Sequence, residues 1–125
     1  MRKTIALLCS VAALTAGCAS SGPAVTSQQV TDTEVAIRAA ENAGAKEMGA
    51  DLLERSRKAL AAARQAISRG DNDESRRQIE EAKAFAAAAS ARATAEKSRR
   101  QAAKLKQQAD ELESRAKQIQ ERARQ

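Results

Sequence analysis

Ile67-Ser68-Arg69-Gly70-Asp71-Asn72 folds the chain back on itself. Gly70 supplies the left-handed conformation that ends helices, and Asp71 or Asn72 has the short polar side chain that starts the next one. Upstream, Leu53, Leu60 and Ile67 recur at seven-residue steps with Ser56 and Ala63 at the complementary offset. That pattern predicts a helix from Ala50 or Asp51 to Arg69 that presents one narrow seam to a partner. Downstream of Asp71 there is neither glycine nor proline, and Ala, Glu, Lys, Arg and Gln predominate. A single helix of about 50 residues, roughly 75–80 Å long, follows. Before this hairpin, Gly44 and Gly49 bracket a turn, and a cap-type residue among Thr31, Asp32 and Thr33 opens a short helix ending near Gly44. The expected fold is all-α: a short helix plus a helical hairpin with a very long, coiled-coil-like C-terminal helix.

Large apolar side chains are few, and alanine supplies most of the apolar content. A buried methyl releases far less than the roughly 1.5–3 kcal/mol of a buried leucine, so helix propensity and close backbone approach must carry stability. Pairs at four-residue spacing support the helices, with Glu34 before Arg38, Asp73 before Arg77, Glu96 before Arg100, Glu111 before Arg115 and Glu113 before Lys117. Each adds about 0.2–0.5 kcal/mol.

Ala102, Leu105, Ala109, Leu112, Ala116, Ile119 and Ala123 form an alanine/leucine heptad seam in the last part of the long helix. It fades upstream at Ser98 and gives way to the alanine-rich stretch Ala82 to Ala95. A second helix of this length reaches back only to about Ala91, so the seam is left without cover inside the chain and reads as a partner surface, with a solvated, partly frayed single helix whose alanines tolerate water as the other reading. Gln101, Gln108, Arg115 and Arg122 flank it on one side, and Lys106, Glu113 and Gln120 on the other. No consistent opposite-charge register emerges from them, and oligomer number and orientation stay open.

The N-terminus has a different character. Arg2 and Lys3 precede an apolar run from Ile5 to Leu14, and small residues lead into Cys18. This is the layout of a secretory signal. Leu14-Thr15-Ala16-Gly17-Cys18 resembles the lipobox of bacterial lipoproteins, which implies cleavage before Cys18 and acylation of its sulfur and new amino group. Loss of Arg2 and Lys3 lowers the net charge from +6 to +4. Cys9 leaves with the signal and Cys18 is occupied by lipid, so no disulfide is expected. Ala19 to Gln29, with the single proline at Pro23, reads as a flexible tether. The chain is therefore expected to be anchored to a membrane without crossing it. Ala19, in place of an aspartate, favours the outer membrane by that resemblance, with the protein on its periplasmic face. The expected layout is a signal peptide over 1–17, the lipidated cysteine and tether over 18–30, a hairpin domain over 31–95 and a coiled-coil extension over 96–125.

The sequence offers little catalytic chemistry. It has no histidine and no phosphate loop, and Ser56, Ser90 and Ser98 fall on helical seams without an adjacent base. Glu80 and Glu81 point to different faces, so no shared acid–base role is expected. Neither enzyme activity, nor a metal, nor a cofactor is expected beyond the diacylglycerol and N-acyl lipid on Cys18. Lys97, Arg99, Arg100, Lys104 and Lys106 form the one local charge excess, a candidate band for anionic envelope polymer such as peptidoglycan or lipopolysaccharide. Nucleic acid is a poor partner for an exported chain whose only aromatic, Phe85, leaves no stacking platform. Phe85 is expected to plug the alanine-rich hairpin.

Ala43-Gly44-Ala45-Lys46-Glu47-Met48-Gly49-Ala50-Asp51-Leu52-Leu53, the run Ala59 to Asp71, and Glu74-Ser75-Arg76-Arg77-Gln78-Ile79-Glu80-Glu81-Ala82 together resemble the bacterial lipoproteins grouped as domain of unknown function 4398. The resemblance covers about Thr31 to Ala95 and the lipid signal. It implies a helical envelope lipoprotein, some relatives of which carry a further wall-binding domain that is not expected here. The seam also resembles alanine-zipper lipoproteins that staple the outer membrane to the cell wall. Their terminal lysine is replaced here by Arg122-Ala123-Arg124-Gln125, so covalent attachment to the wall by that route is not expected. The leading expectation is a non-catalytic, lipid-anchored structural or interaction protein that associates with a second copy or an envelope protein through its long helix. The alternative is a binding module for anionic polymer.

Overall fold

The structure, a computed structural model, describes residues 22–125. The signal peptide and Cys18 lie outside the described residues. Thr26 and Gln29 start the first helix: the Thr26 hydroxyl accepts the Gln29 amide N–H at 3.2 Å, and the Gln29 side-chain oxygen accepts the Thr26 N–H at 2.9 Å. This reciprocal capping box satisfies two amides that a helix end otherwise leaves without a partner. Helix α1 therefore runs Ser27–Ala43. It starts ahead of the expected Thr31–Thr33, and residues 27–30, expected in the tether, are helical. Gly22 and Pro23 already lie against the body, with the Gly22 N–H donating to Asp73 Oδ1 and Arg76 Nη1 donating to the Pro23 carbonyl, both at 3.4 Å.

α1 buries Thr33, Ile37 and Ala40. The Thr33 hydroxyl donates to the Gln29 carbonyl at 2.7 Å, so burial leaves no polar group unsatisfied. Gly44, at φ 98°, closes α1 with its N–H on the Ala40 and Glu41 carbonyls. The expected turn contains a one-turn helix, α2 (Ala45–Met48). Gly49 follows and is buried. A Cβ there would stand 3.1 Å from the Ala89 carbonyl oxygen, so the corner lies against the backbone of the long helix with little room for a side chain.

α3 spans Ala50–Ser68 and buries Leu53, Ser56, Ala59, Leu60, Ala63 and Ala66. Ile67, the expected third member of the leucine line, is 39% exposed. Toward the turn Ala59, Ala63 and Ala66 make the contact instead, because their small side chains let the helix axes close, and Ile67 is left at the rim. Gly70 adopts φ 72° and the Asp71 N–H reaches back to the Ala66 carbonyl at 3.0 Å, the long bond of a Schellman turn. The Asp71 side chain then accepts the Glu74 N–H at 3.0 Å and opens α4, Asn72–Ala123, of 52 residues.

On α4 the buried residues are Ser75, Ile79, Ala82, Ala86, Ala89 and Ala93, at alternating steps of four and three. The Ser56 hydroxyl crosses from α3 to the Ala82 carbonyl at 2.7 Å. Beyond Ala93 the same line continues as Glu96, Arg100, Ala103, Gln107 and Asp110, polar but for one alanine, and there the three-helix packing ends. Every residue from Lys97 to Gln125 is exposed.

The start of α1 lies by Asp73 and Arg76, and Gly44 lies by Lys97, so α1 runs parallel to α4 and α3 runs against both. Ion pairs link the elements. Glu41 takes Arg57 at 2.5 Å and Lys46 at 3.2 Å, Arg64 takes Glu34, and Arg92 reaches Asp51 at 3.0 Å. Of the expected four-residue pairs, Glu34–Arg38 (3.9 Å), Glu96–Arg100 (3.5 Å) and Glu113–Lys117 (2.6 Å) form. Asp73 takes Arg76 instead, Arg77 takes Glu74, and Glu111 accepts Gln107.

Candidate partner-binding surface

Ala102, Leu105, Ala109, Leu112, Ala116, Ile119 and Ala123 share one face of the free half of α4. Leu105, Leu112 and Ile119 are 66%, 64% and 67% exposed, whereas the large aliphatic residues Leu53 and Ile79 of the body are almost wholly enclosed. The seam is not a continuation of the core stripe. At 3.6 residues per turn its axis lies about 130° around α4 from the buried stripe Ser75, Ile79, Ala82, Ala86, Ala89 and Ala93. Traced upstream, the seam line passes Ser98, Ala95, Ala91, Ala88 and Ala84, all exposed. The alanine-rich stretch thus serves two faces. Ala82, Ala86, Ala89 and Ala93 point into the body, and Ala84, Ala88, Ala91 and Ala95 point away from it.

The five cations do not make one band. By helical position Lys97, Arg100 and Lys104 follow the core-stripe side of α4, while Arg99 and Lys106 lie well around the helix on the flank of the seam. Two of them are paired and a third lies at a helix end. Arg99 and Arg100 share Glu96 at 3.7 and 3.5 Å, and the Lys97 ammonium lies 3.1 Å from where a Gly44 Cβ would stand. The last turn of α1 has no basic residue of its own, so Lys97 places a cation at the negative end of that helix. Lys104 and Lys106 make no ion pair among the described residues.

Phe85 is half-buried and lies outside the core cluster. It lines an open groove with Ala59 and Ala62, and the Arg55 guanidinium carbon stands 5.6 Å from its ring centre. An arginine over an aromatic face is itself a favourable contact, so Phe85 lines the groove and does not plug the hairpin. Glu80 pairs with Lys83 at 3.5 Å. Ser56 is committed to Ala82, and the Ser90 carbonyl accepts the Thr94 hydroxyl at 3.0 Å. Among the described residues no group of three His, Cys, Asp or Glu could hold a metal ion, and no helix is long and apolar enough to cross a membrane.

The Thr26–Gln29 box is present in the sequence as Thr-x-x-Gln, but the neighbouring Pro23 and polar residues mask it. Arg92–Asp51 and Lys97 at Gly44 have no local signal, since each joins residues far apart in the chain.

The family described as Domain of unknown function (DUF4398) matches residues 28–105. The chain belongs to that family. The DUF4398 region therefore takes in nearly all of α1, the whole of α2 and α3, and α4 as far as Leu105. Ala109 to Ala123, the larger part of the seam, lies beyond it. No curated protein and no solved structure matches the chain.

Proposed function

We propose that this chain is a non-catalytic, lipid-anchored interaction protein of the bacterial envelope, attached through Cys18 to the periplasmic face of the outer membrane and associating through the seam on α4. The observation that carries the reading is that Leu105, Leu112 and Ile119 stand about two-thirds exposed along one face of a helix. Such a row is stable in water only weakly by itself, since packing of an apolar face supplies most helix stability in proteins. The lipobox-like segment ending at Cys18 supports the anchor. The anionic-polymer reading has less support, because the five cations divide around the helix and Arg99 and Arg100 share Glu96.

Photo-crosslinking in cells from Leu105, Leu112 and Ile119, with Gln107 on the opposite side as control, tests the seam. Adducts from the three seam positions and not from Gln107 are expected, and adducts from none of them would overturn the reading. Cys18→Ser is expected to move the chain from the membrane to the soluble fraction.

A further inference from the structure

We propose that the seam is an antiparallel homodimer interface in which Ala102, Leu105 and Ala109 of one copy face Ile119, Ala116 and Leu112 of a second. The proposal rests on the reading of the seam as an association surface and goes on to name the occupant, the orientation and the register. Three independent properties of α4 point to it.

The first is side-chain size. In the antiparallel arrangement every layer from Ala102 to Ile119 sets one alanine against one large aliphatic residue, so all layers have the same thickness. A parallel in-register pair would stack alanine on alanine and leucine on leucine, alternately thin and thick. Two straight helices cannot fill both without voids or overlap, and interiors tolerate neither.

The second is charge. In this register Lys106 lies opposite Glu113 of the second copy, and the two-fold axis between Asp110 and Glu111 repeats the pair. The other flanking contacts are Arg99 with Gln120, Gln108 with Arg115 and Gln101 with Arg122, and none joins like charges. A shift of one heptad in one direction sets Lys106 on Lys106. The opposite shift sets Glu113 on Glu113 and Arg115 on Arg115. A parallel pair offers only Gln101 with Lys106, Gln108 with Glu113 and Arg115 with Gln120, which neither attract strongly nor select a register. The flanks that carry no consistent code for parallel helices select one antiparallel alignment. Glu113 Oε1 already holds Lys117 of its own helix at 2.6 Å, which leaves Oε2 for the incoming lysine.

The third is room. The chosen register brings Ala123 of one copy beside Ser98 of the other, just past Ala93, the last residue buried in the three-helix body. The seam faces away from α1 and α3, so the second helix lies on the open side of the body. The contact is isologous and closes on itself, giving a dimer and not a filament.

Sedimentation equilibrium of the full chain in density-matched detergent tests the proposal by charge exchange. The wild type is expected to dimerise. Lys106→Glu and Glu113→Lys, made singly, each convert both attractive pairs to repulsive ones and are expected to raise the dimer Kd about tenfold at low ionic strength. The double exchange is expected to recover most of the lost affinity, short of wild type by the Glu113–Lys117 pair it also removes, and the differences should shrink in molar salt. Neither residue touches the body, and far-UV circular dichroism will show that each variant retains its helix. Single variants without effect, or a double variant as weak as the singles added together, would overturn the antiparallel register while self-association stands. A wild type that stays monomeric at all concentrations would overturn the homodimer, and the in-cell crosslinks then decide the broader reading separately.

Discussion

Gly44 and Gly70 both occupy the left-handed region, at φ 98° and 72°, yet they sit in different surroundings. Nothing lies within 4 Å of a Cβ built on Gly70, whereas one on Gly44 would meet Lys97 Cε at 3.0 Å and Nζ at 3.1 Å. Gly70→Ala is expected to cost about 1–2 kcal/mol from backbone strain alone. Gly44→Ala is expected to cost slightly more, because the tip of the Lys97 side chain must also shift by a few tenths of an ångström. Urea unfolding of the two variants, compared in a Lys97→Ala background, checks this: the excess cost of Gly44→Ala should disappear there. Gly70 was legible from Gly-Asp between two helical patterns, since a helix end is a local event. The closeness of Lys97 to Gly44 was not, because it depends on where α1 comes to rest along α4.

At the scale of elements, α4 changes the face it uses. The seam from Ala102 onward was legible because Leu105, Leu112 and Ile119 stand out among polar neighbours. The core stripe upstream was hidden, because among Ala82, Ala84, Ala86, Ala87, Ala88 and Ala89 a methyl group is available on every side and periodicity loses its contrast. Only Ile79 marks the inward line, and a single residue sets no period. The free half is therefore a helix whose integrity is separate from that of the body. Ala103→Pro, which costs about 3 kcal/mol in a helix interior, is expected to lower the far-UV helical signal by breaking the exposed half. The melting temperature of the three-helix body should stay unchanged. A thermal scan at two protein concentrations measures both quantities and also reports whether dimerisation is lost.

For the molecule as a whole, Glu41 is a junction between α1, α2 and α3. The hydrogen bond from Arg57 first, and that from Lys46 second, hold its carboxyl below the ordinary value of 4.5. Protonation is thus harder in the folded chain than in the unfolded one. The resulting stability is complete above about pH 4.5 and is lost as pH falls through the lowered folded value. Glu41→Gln is expected to be less stable than wild type at pH 7 and to converge with it in acid, as urea titrations at pH 7 and pH 3 will show. The all-helical plan, the hairpin and the long helix could be read from glycine placement and composition. The lateral ties Arg57–Glu41 and Arg92–Asp51 could not, since ions paired across helices follow from packing and not from spacing. The parallel course of α1 and α4 has a mechanical side. A pull applied between Gly22, beside Arg76, and Ala123 at the far end of α4 draws the two helices past one another lengthwise. The load is then shared by all their contacts at once and does not peel them apart one at a time, so the fold is braced against axial tension.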